Sequence, residues 1–369
     1  LAPLATTGGA LTLTASDSLL PSVGLAFSTH ATLTAGNDIV GSGGILRSGT
    51  GAGNLHVLAG RDIVLQNATV GQSVSAGAIG IDKTNVTLNA NRQGNGGGIQ
   101  MYTSQVDSRG GNILLGGGLS PLTSGYAQSR ADGLAGVMIA SDSSLLSRGG
   151  HISLRGKGLD GSTGNMNVGV LVQGQVHAEA AGTINIVGKG GDGGSTHAWG
   201  VMVNGGATVA SDSGALSITG VGGDGVTGHS AGGVIIGAFG PGTVQSQSGA
   251  ISINGTGGNG DGYFAVGTIV DPGGLVQSLG NNGKPGAINI TGHGGNGIGG
   301  RSVGVWVQDT GRVQSSGADI VIQGYGGNAD AGGNTGVEVK FGGTVSASGA
   351  GSVSIIGTGG ASLSGANNH

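Results

Sequence analysis

The sequence predicts an all-β chain wound as one right-handed parallel β-helix, with three strands to each coil. Three observations carry this reading. The first is a recurring phrase, clearest at residues 286–297 (G-A-I-N-I-T-G-H-G-G-N-G), where Ile288 and Ile290 alternate along a short strand before a glycine-rich turn. Close copies stand at 182–193, 214–225 and 249–260, and degraded ones begin at Gly111, Gly150, Gly317 and Gly351. The second is spacing: the first apolar residues, Ile113, Ile152, Ile184, Leu216, Ile251, Ile288, Ile320 and Val353, lie 39, 32, 32, 35, 37, 32 and 33 residues apart. A steady period with uneven spacing marks a repeat architecture whose insertions fall in loops. The third is what is missing. No window places helix formers at 3.6-residue spacing, and glycine interrupts each one, whereas a doubly wound α/β sheet needs helical crossovers of ten or more residues.

Residues 1–110 repeat on a shorter period. The runs beginning at Leu11, Ala31 and Leu55 share one pattern, with central residues Leu13, Leu33 and Val57 spaced 20 and 24 apart. Twenty-odd residues hold three short strands and three turns, so each run is one coil. Further strands are expected at 86–88 and from Gly98. From 111 to 369 the coils lengthen to about 34 residues and continue the same solenoid. In these, strand one is I-x-I. Strand two is G-V-x-V or close to it, opening at Gly136, Gly169, Gly200, Gly233, Gly267, Gly304 and Gly336. Strand three pairs a Val with a small residue two later, as in Val176/Ala178, Val209/Ser211, Val244/Ser246, Val276/Ser278, Val313/Ser315 and Val345/Ala347. Side chains at i and i+2 share a face, so like residues should stack on like from coil to coil. Right-handed winding follows from the handedness of parallel crossovers.

The glycines, 89 of 369, are assigned to the corners, where positive φ is needed. One turn position is not glycine: Asp160, Asp192, Asp224, Asn259, Asn296 and Asn328. Asn and Asp tolerate the left-handed conformation, and stacked along the axis they would form a hydrogen-bonded Asx ladder. A row of calcium ligands or a sugar-binding edge is the competing reading of that column.

Composition excludes several classes. Charged residues are 9% of the chain and the net charge is −4, which offers no electrostatic footprint for nucleic acid. Glycine has no three-residue period, so collagen is excluded. No apolar run is long enough for a membrane-spanning helix, and no membrane insertion is expected. With no cysteine there is neither a disulfide nor a thiolate metal site. G-x-G-x-x-G recurs after strand one in five successive coils, beginning at Gly156, Gly188, Gly220, Gly255 and Gly292, never opening a helix, and so reads as a turn rather than a dinucleotide site. The calcium nonapeptide lacks its Asp, with Ser195, Gly262 and Gly299 in that place. The 18 acidic residues look scattered outside the Asx column, and the eight histidines show no metal spacing, His197 and His229 included. No catalytic residue, metal or cofactor is expected.

Two features suggest a binding surface. The x of G-V-x-V should face outward, yet it reads Met138, Leu171, Met202, Ile235, Ile269, Trp306 and finally Glu338. Such a stripe is either covered by the long loops or serves as a contact face. In addition His197, Trp199, Tyr263, Phe264 and Arg301 fall in equivalent loops just before strand two, near Trp306. Flat rings and a guanidinium on a rigid rod suit the faces of sugars.

A-G-N-D-I-V from Ala35 and A-G-R-D-I-V from Ala59 resemble the repeats of filamentous-haemagglutinin-like exoproteins of bacterial two-partner secretion. The I-x-I-x-G-x-G-G-[DN]-G coils resemble the Gly-rich rods of that group's large biofilm-matrix adhesins. The resemblance implies a right-handed β-helix rod exported through an outer-membrane secretion partner to the extracellular surface. It also implies adhesion to a matrix polysaccharide, to another cell or to another adhesin copy. On this reading the chain is a piece of a longer protein. The alternatives are a carbohydrate-active β-helix enzyme and a calcium- or ice-binding solenoid.

Overall fold

The computed structural model describes residues 4–5, 9–22, 24–73, 79–130, 133–194, 196–225, 230–280, 285–330 and 332–362. Ser195 and His229 therefore lie outside the described residues. All regular structure is β, arranged as three sheets of thirteen, ten and twelve strands in which every strand pairing is parallel. Strand one of each coil pairs with strand one of the next, and the same holds for strands two and three. The registers follow the repeat: Ile184 pairs with Leu216, Leu216 with Ile251, and Ile251 with Ile288. The chain is a parallel β-helix.

Coil length changes by steps. Stacked residues are 20 apart between Asp17 and Asn37, 24 between His30 and Asn54, 31 between Asn54 and Asn85, and 27 between Asn85 and Asn112. The period then reaches 39 between Asn112 and His151. The shortest spacing is thus confined to the first coils, with 31 and 27 between them and the long coils.

Alternation fills the lumen. Ile184, Ile186, Leu216, Ile218, Ile251, Ile253, Ile288 and Ile290 belong to one continuous core with Val201, Val203, Val234, Val244 and Val276. The small residues of strand three, Ala178, Ser211, Ser246, Ser278 and Ser315, are buried as a column of their own. Among the short coils the interior also admits a cation. Arg47 is 1% exposed and donates to Thr29 O, Thr50 O, Gly51 O and Gln72 Oε1. Burial pushes its guanidinium below the usual arginine range, with Asp82 opposing.

Many glycines do turn corners on positive φ, Gly161, Gly205, Gly206 and Gly273 among them, but those at the end of strand one do something else. At the end of strand one, Gly188, Gly220, Gly255 and Gly292 press on the first glycine of strand two. A Cβ on Gly220 would sit 2.0 Å from Gly233 O, and one on Gly292 would sit 1.9 Å from Gly304 O. No real side chain is accommodated there. These two columns form a neck through which each long coil sends a loop outward and takes it back. The loops also stack, through Ala198 N–H to Ser230 O and Gly223 N–H to Ala198 O.

The neck decides the fate of the apolar stripe. Met138, Leu171, Met202, Ile235, Ile269 and Trp306 point away from the lumen, yet none is more than 7% exposed. They form a second core with Ala135, Val168, Trp199, Val266 and Val303 from the returning limbs of the loops. The stripe is covered by the chain's own loops and is not a lateral contact face. Its last position, Glu338, takes a hydrogen bond from Thr335 Oγ1 at 2.7 Å instead.

Candidate functional site

The loops have two sides. On the outer ridge the Asx column is a ladder with one hydrogen bond per step. Asp160 Oδ1 accepts from the Asp192 N–H at 3.1 Å, Asp192 Oδ1 from Asp224 N–H at 2.8 Å, and Asp224 Oδ1 from Asn259 N–H at 2.7 Å. Asn259, Asn296 and Asn328 continue it to the N–H groups of Asn296, Asn328 and Ala361, each at 2.8 Å. None of the six has positive φ, which corrects the conformational reason given for them. They stand here because a short side-chain oxygen reaches the next backbone donor. Each Oδ1 is thereby committed to the protein. Burial raises the pKa of Asp160, but hydrogen bonds from Lys157 Nζ and Asp192 N–H outweigh it and hold the carboxyl below its usual range. The Asp of the A-G-x-D-I words acts alike, since Asp38 Oδ1 accepts from Asp62 N–H and Asp62 Oδ1 from Gly98 N–H.

The other side of the loops faces a groove of about 490 Å³, within the range of small-ligand sites. Its floor holds Ile235, Ile269 and Trp306. One wall, from the loops, holds His197, Trp199, Phe264 and Arg301, and the other, at the corner after strand two, holds Phe239, Asp271, Gln308, Asp309 and Phe341. Five of the six residues singled out from sequence therefore meet at one site. Tyr263 does not line it and is 60% exposed. The tryptophans are not open platforms either, being 3% and 4% exposed. Trp199 extends over the next coil, where the equivalent residue is Gly232 and a Cβ would lie 3.4 Å from Trp199 Cδ1.

The rings are ordered as two groups. His197 meets Trp199 edge-on at 4.8 Å, and Trp199 stacks on Phe239 at 5.9 Å. Phe264 stacks on Trp306 at 5.9 Å, with Arg301 over both at 5.7 and 6.0 Å. Lys340 Nζ lies 4.1 Å from the Trp306 centroid and pairs with Glu338. The two indoles differ in one respect. Trp199 Nε1 donates to Ser230 Oγ at 2.8 Å, whereas Trp306 Nε1 is buried with no hydrogen-bond partner among the described residues.

The corner wall was not foreseen. Phe239 and Phe341 are 75% and 70% exposed and have φ of +56° and +51°. Ala238, Arg301, Asp309 and Thr310 are also left-handed, at a cost of about 1–2 kcal/mol each for an ordinary residue. Another coil turns the same corner on Gly205 and Gly206. Nor are the acidic residues all scattered, because the solenoid carries Asp271 and Asp309 into one groove. Burial pushes the Asp271 carboxyl up, against a hydrogen bond from Gln308 Nε2 at 2.9 Å, and the Asp309 charge pushes it further. The usable signal was a non-glycine residue where neighbouring coils have glycine. Among the described residues there is no cluster of three or more metal-ligating side chains, and no helix able to cross a membrane.

Set against protein-family models, curated proteins and solved structures, the chain matches none of them.

Proposed function

We propose that the chain is a rod segment of a secreted or surface-tethered bacterial adhesin, giving reach and holding matrix polysaccharide in the aromatic groove. An outer-membrane partner would export it. The observation that carries this reading is the pair Phe239 and Phe341. Each leaves an apolar ring in water and holds a left-handed backbone. Neither state favours folding, so the pair is better explained by binding than by stability. Exposed rings on a stiff support offer flat apolar faces to sugars, and polar groups beside them can fix hydroxyls.

The test is a glycan array probed with the full chain and with Phe239→Gly and Phe341→Gly. Each variant should lose about fivefold or more in binding, the scale of one ring contact, with its melting temperature nearly unchanged. Array binding indifferent to both substitutions would overturn the reading. Replacing Trp199 or Trp306 is a poorer test, since both are packed in the second core.

One observation favours a second reading, a carbohydrate-active enzyme. Asp271 has a raised pKa and lies beside a second carboxylate, as in glycosidase acid–base pairs. Reducing sugar released from an array-positive polysaccharide, and not by Asp271→Asn, would establish it.

A further inference from the structure

Resting on the reading of this groove as a sugar site, we propose that its ligand carries free ammonium groups: an amino-sugar oligosaccharide lying along the rod axis. Charge carries the first part of the argument. Asp271 and Asp309 lie on the same wall, and among the described residues neither is in an ion pair. Two like charges in a partly desolvated groove repel, and a bound cation relieves both. The cations already present are engaged elsewhere. Arg301 lies over Phe264 and Trp306, and Lys340 is paired with Glu338 over the Trp306 ring. Rings and carboxylates together are the surroundings in which ammonium groups bind well.

Hydrogen bonding carries the second part. Trp306, 96% buried in the floor by its 4% exposure, has an indole N–H without a partner among the described residues. A buried donor left unpaired costs about 1–3 kcal/mol, and because the nitrogen is shielded in the free protein, a ligand hydroxyl or ring oxygen would accept from it once the indole turns toward the groove. Geometry carries the third. Phe239 follows the strand Val234–Ile236 and Phe341 follows Val337–Lys340, three pairings along the same sheet. At one strand spacing per pairing the two rings belong to coils roughly 14 Å apart. A single sugar does not span that distance. A short oligosaccharide parallel to the axis does, with a terminal face on each ring and its ammonium groups toward the carboxylates between them.

The experiment titrates the full chain, just below neutral pH, with four trisaccharides: glucosamine, N-acetylglucosamine, glucose and galacturonate. The glucosamine trimer should bind about tenfold or more tighter than its acetylated form, as expected for charge-assisted contacts. The double variant Asp271→Asn, Asp309→Asn should bring that ratio close to one. With only two tryptophans in the chain, two indole N–H resonances are available; that of Trp306 should shift more on binding than that of Trp199, whose N–H is already held by Ser230 Oγ. Equal binding of acetylated or neutral trimers, or tighter binding of the uronate, overturns the ammonium proposal and leaves the sugar site standing. Failure of every trimer overturns both. If the double variant melts early, the ligand series on the unaltered protein decides the matter alone.

Discussion

The ridge and the groove are two sides of the same stacked loops, and they obey opposite rules. On the ridge one residue type recurs, and each side-chain oxygen meets the next coil's N–H at 2.7–3.1 Å. The walls of the groove break the repeat. Among the described residues a tryptophan N–H has no acceptor, two carboxylates lack cations, and two phenylalanines are exposed on left-handed backbone. In a solenoid each coil contacts only its neighbours, so a residue needed for stacking is needed in every coil. Departures from the repeat are then where a contribution other than stability is to be sought. Four substitutions and one control test how far the contrast extends.

The largest effect should come at the neck, on which both sides depend. In Gly220→Ala the new Cβ would lie 2.0 Å from Gly233 O and 2.8 Å from Val234 Cγ2, with backbone on the near side. The two strands must separate, at a cost of about 3 kcal/mol or more. Gly164→Ala is the control, its nearest neighbour being Ser162 Oγ at 3.4 Å. Urea unfolding should show a large fall in midpoint for the first and almost none for the second. Equal midpoints would mean that the neck opens freely.

The ridge should respond more weakly. Asn296→Ala removes the acceptor of the Asn328 N–H and spares the donor that Asn296 itself supplies to Asn259. The column is solvent-exposed, so the loss should be about 1 kcal/mol. Faster amide exchange should appear at Asn328 and not at Asn259. Protection unchanged at Asn328 would mean that the ladder accompanies the loop geometry without supporting it.

How much was legible follows from the same contrast. The strands were readable because Ile288 and Ile290, or Val276 and Ser278, repeat in period and in alternation, and a slip in register would turn them out of the lumen. The ladder's membership was readable from its recurrence, although its reason was misassigned. The neck was not readable: Gly188 looks like any other turn glycine until it is seen that a Cβ placed on it would lie 2.0 Å from Gly200 O. The loop wall of the groove was readable because His197, Trp199, Phe264 and Arg301 are rare residue types at one repeat position. The corner wall was not, because Asp271 and Asp309 are 38 residues apart and only the coil length brings them together. Buried Arg47 had no sequence signal, since its partners are mostly backbone carbonyls.

The smallest effect separates ridge from groove by sign. Asp160 on the ridge is held below the ordinary carboxylate range, so it contributes stability above its unfolded pKa that is lost as pH falls through the folded value. Asp271 in the groove is raised by burial and by Asp309, so the native state takes up its proton more readily than the unfolded chain does. Its contribution has the opposite slope. Stability falls as pH rises from the ordinary Asp value through the raised one, and the penalty is complete above that window. Asp271→Asn removes the charge and leaves an amide oxygen for Gln308. At neutral pH the variant should therefore be slightly more stable than the parent, by less than about 1 kcal/mol after allowing for solvent screening. The two should converge as pH falls through the ordinary Asp range. Asp160→Asn should err the other way at neutral pH, because the Lys157 Nζ loses its charged partner. Urea midpoints for both variants across the carboxylate range decide it. Two curves of the same sign would show that the groove carboxylate is as structural as the ridge one, and the unpaired charge would no longer point to a ligand.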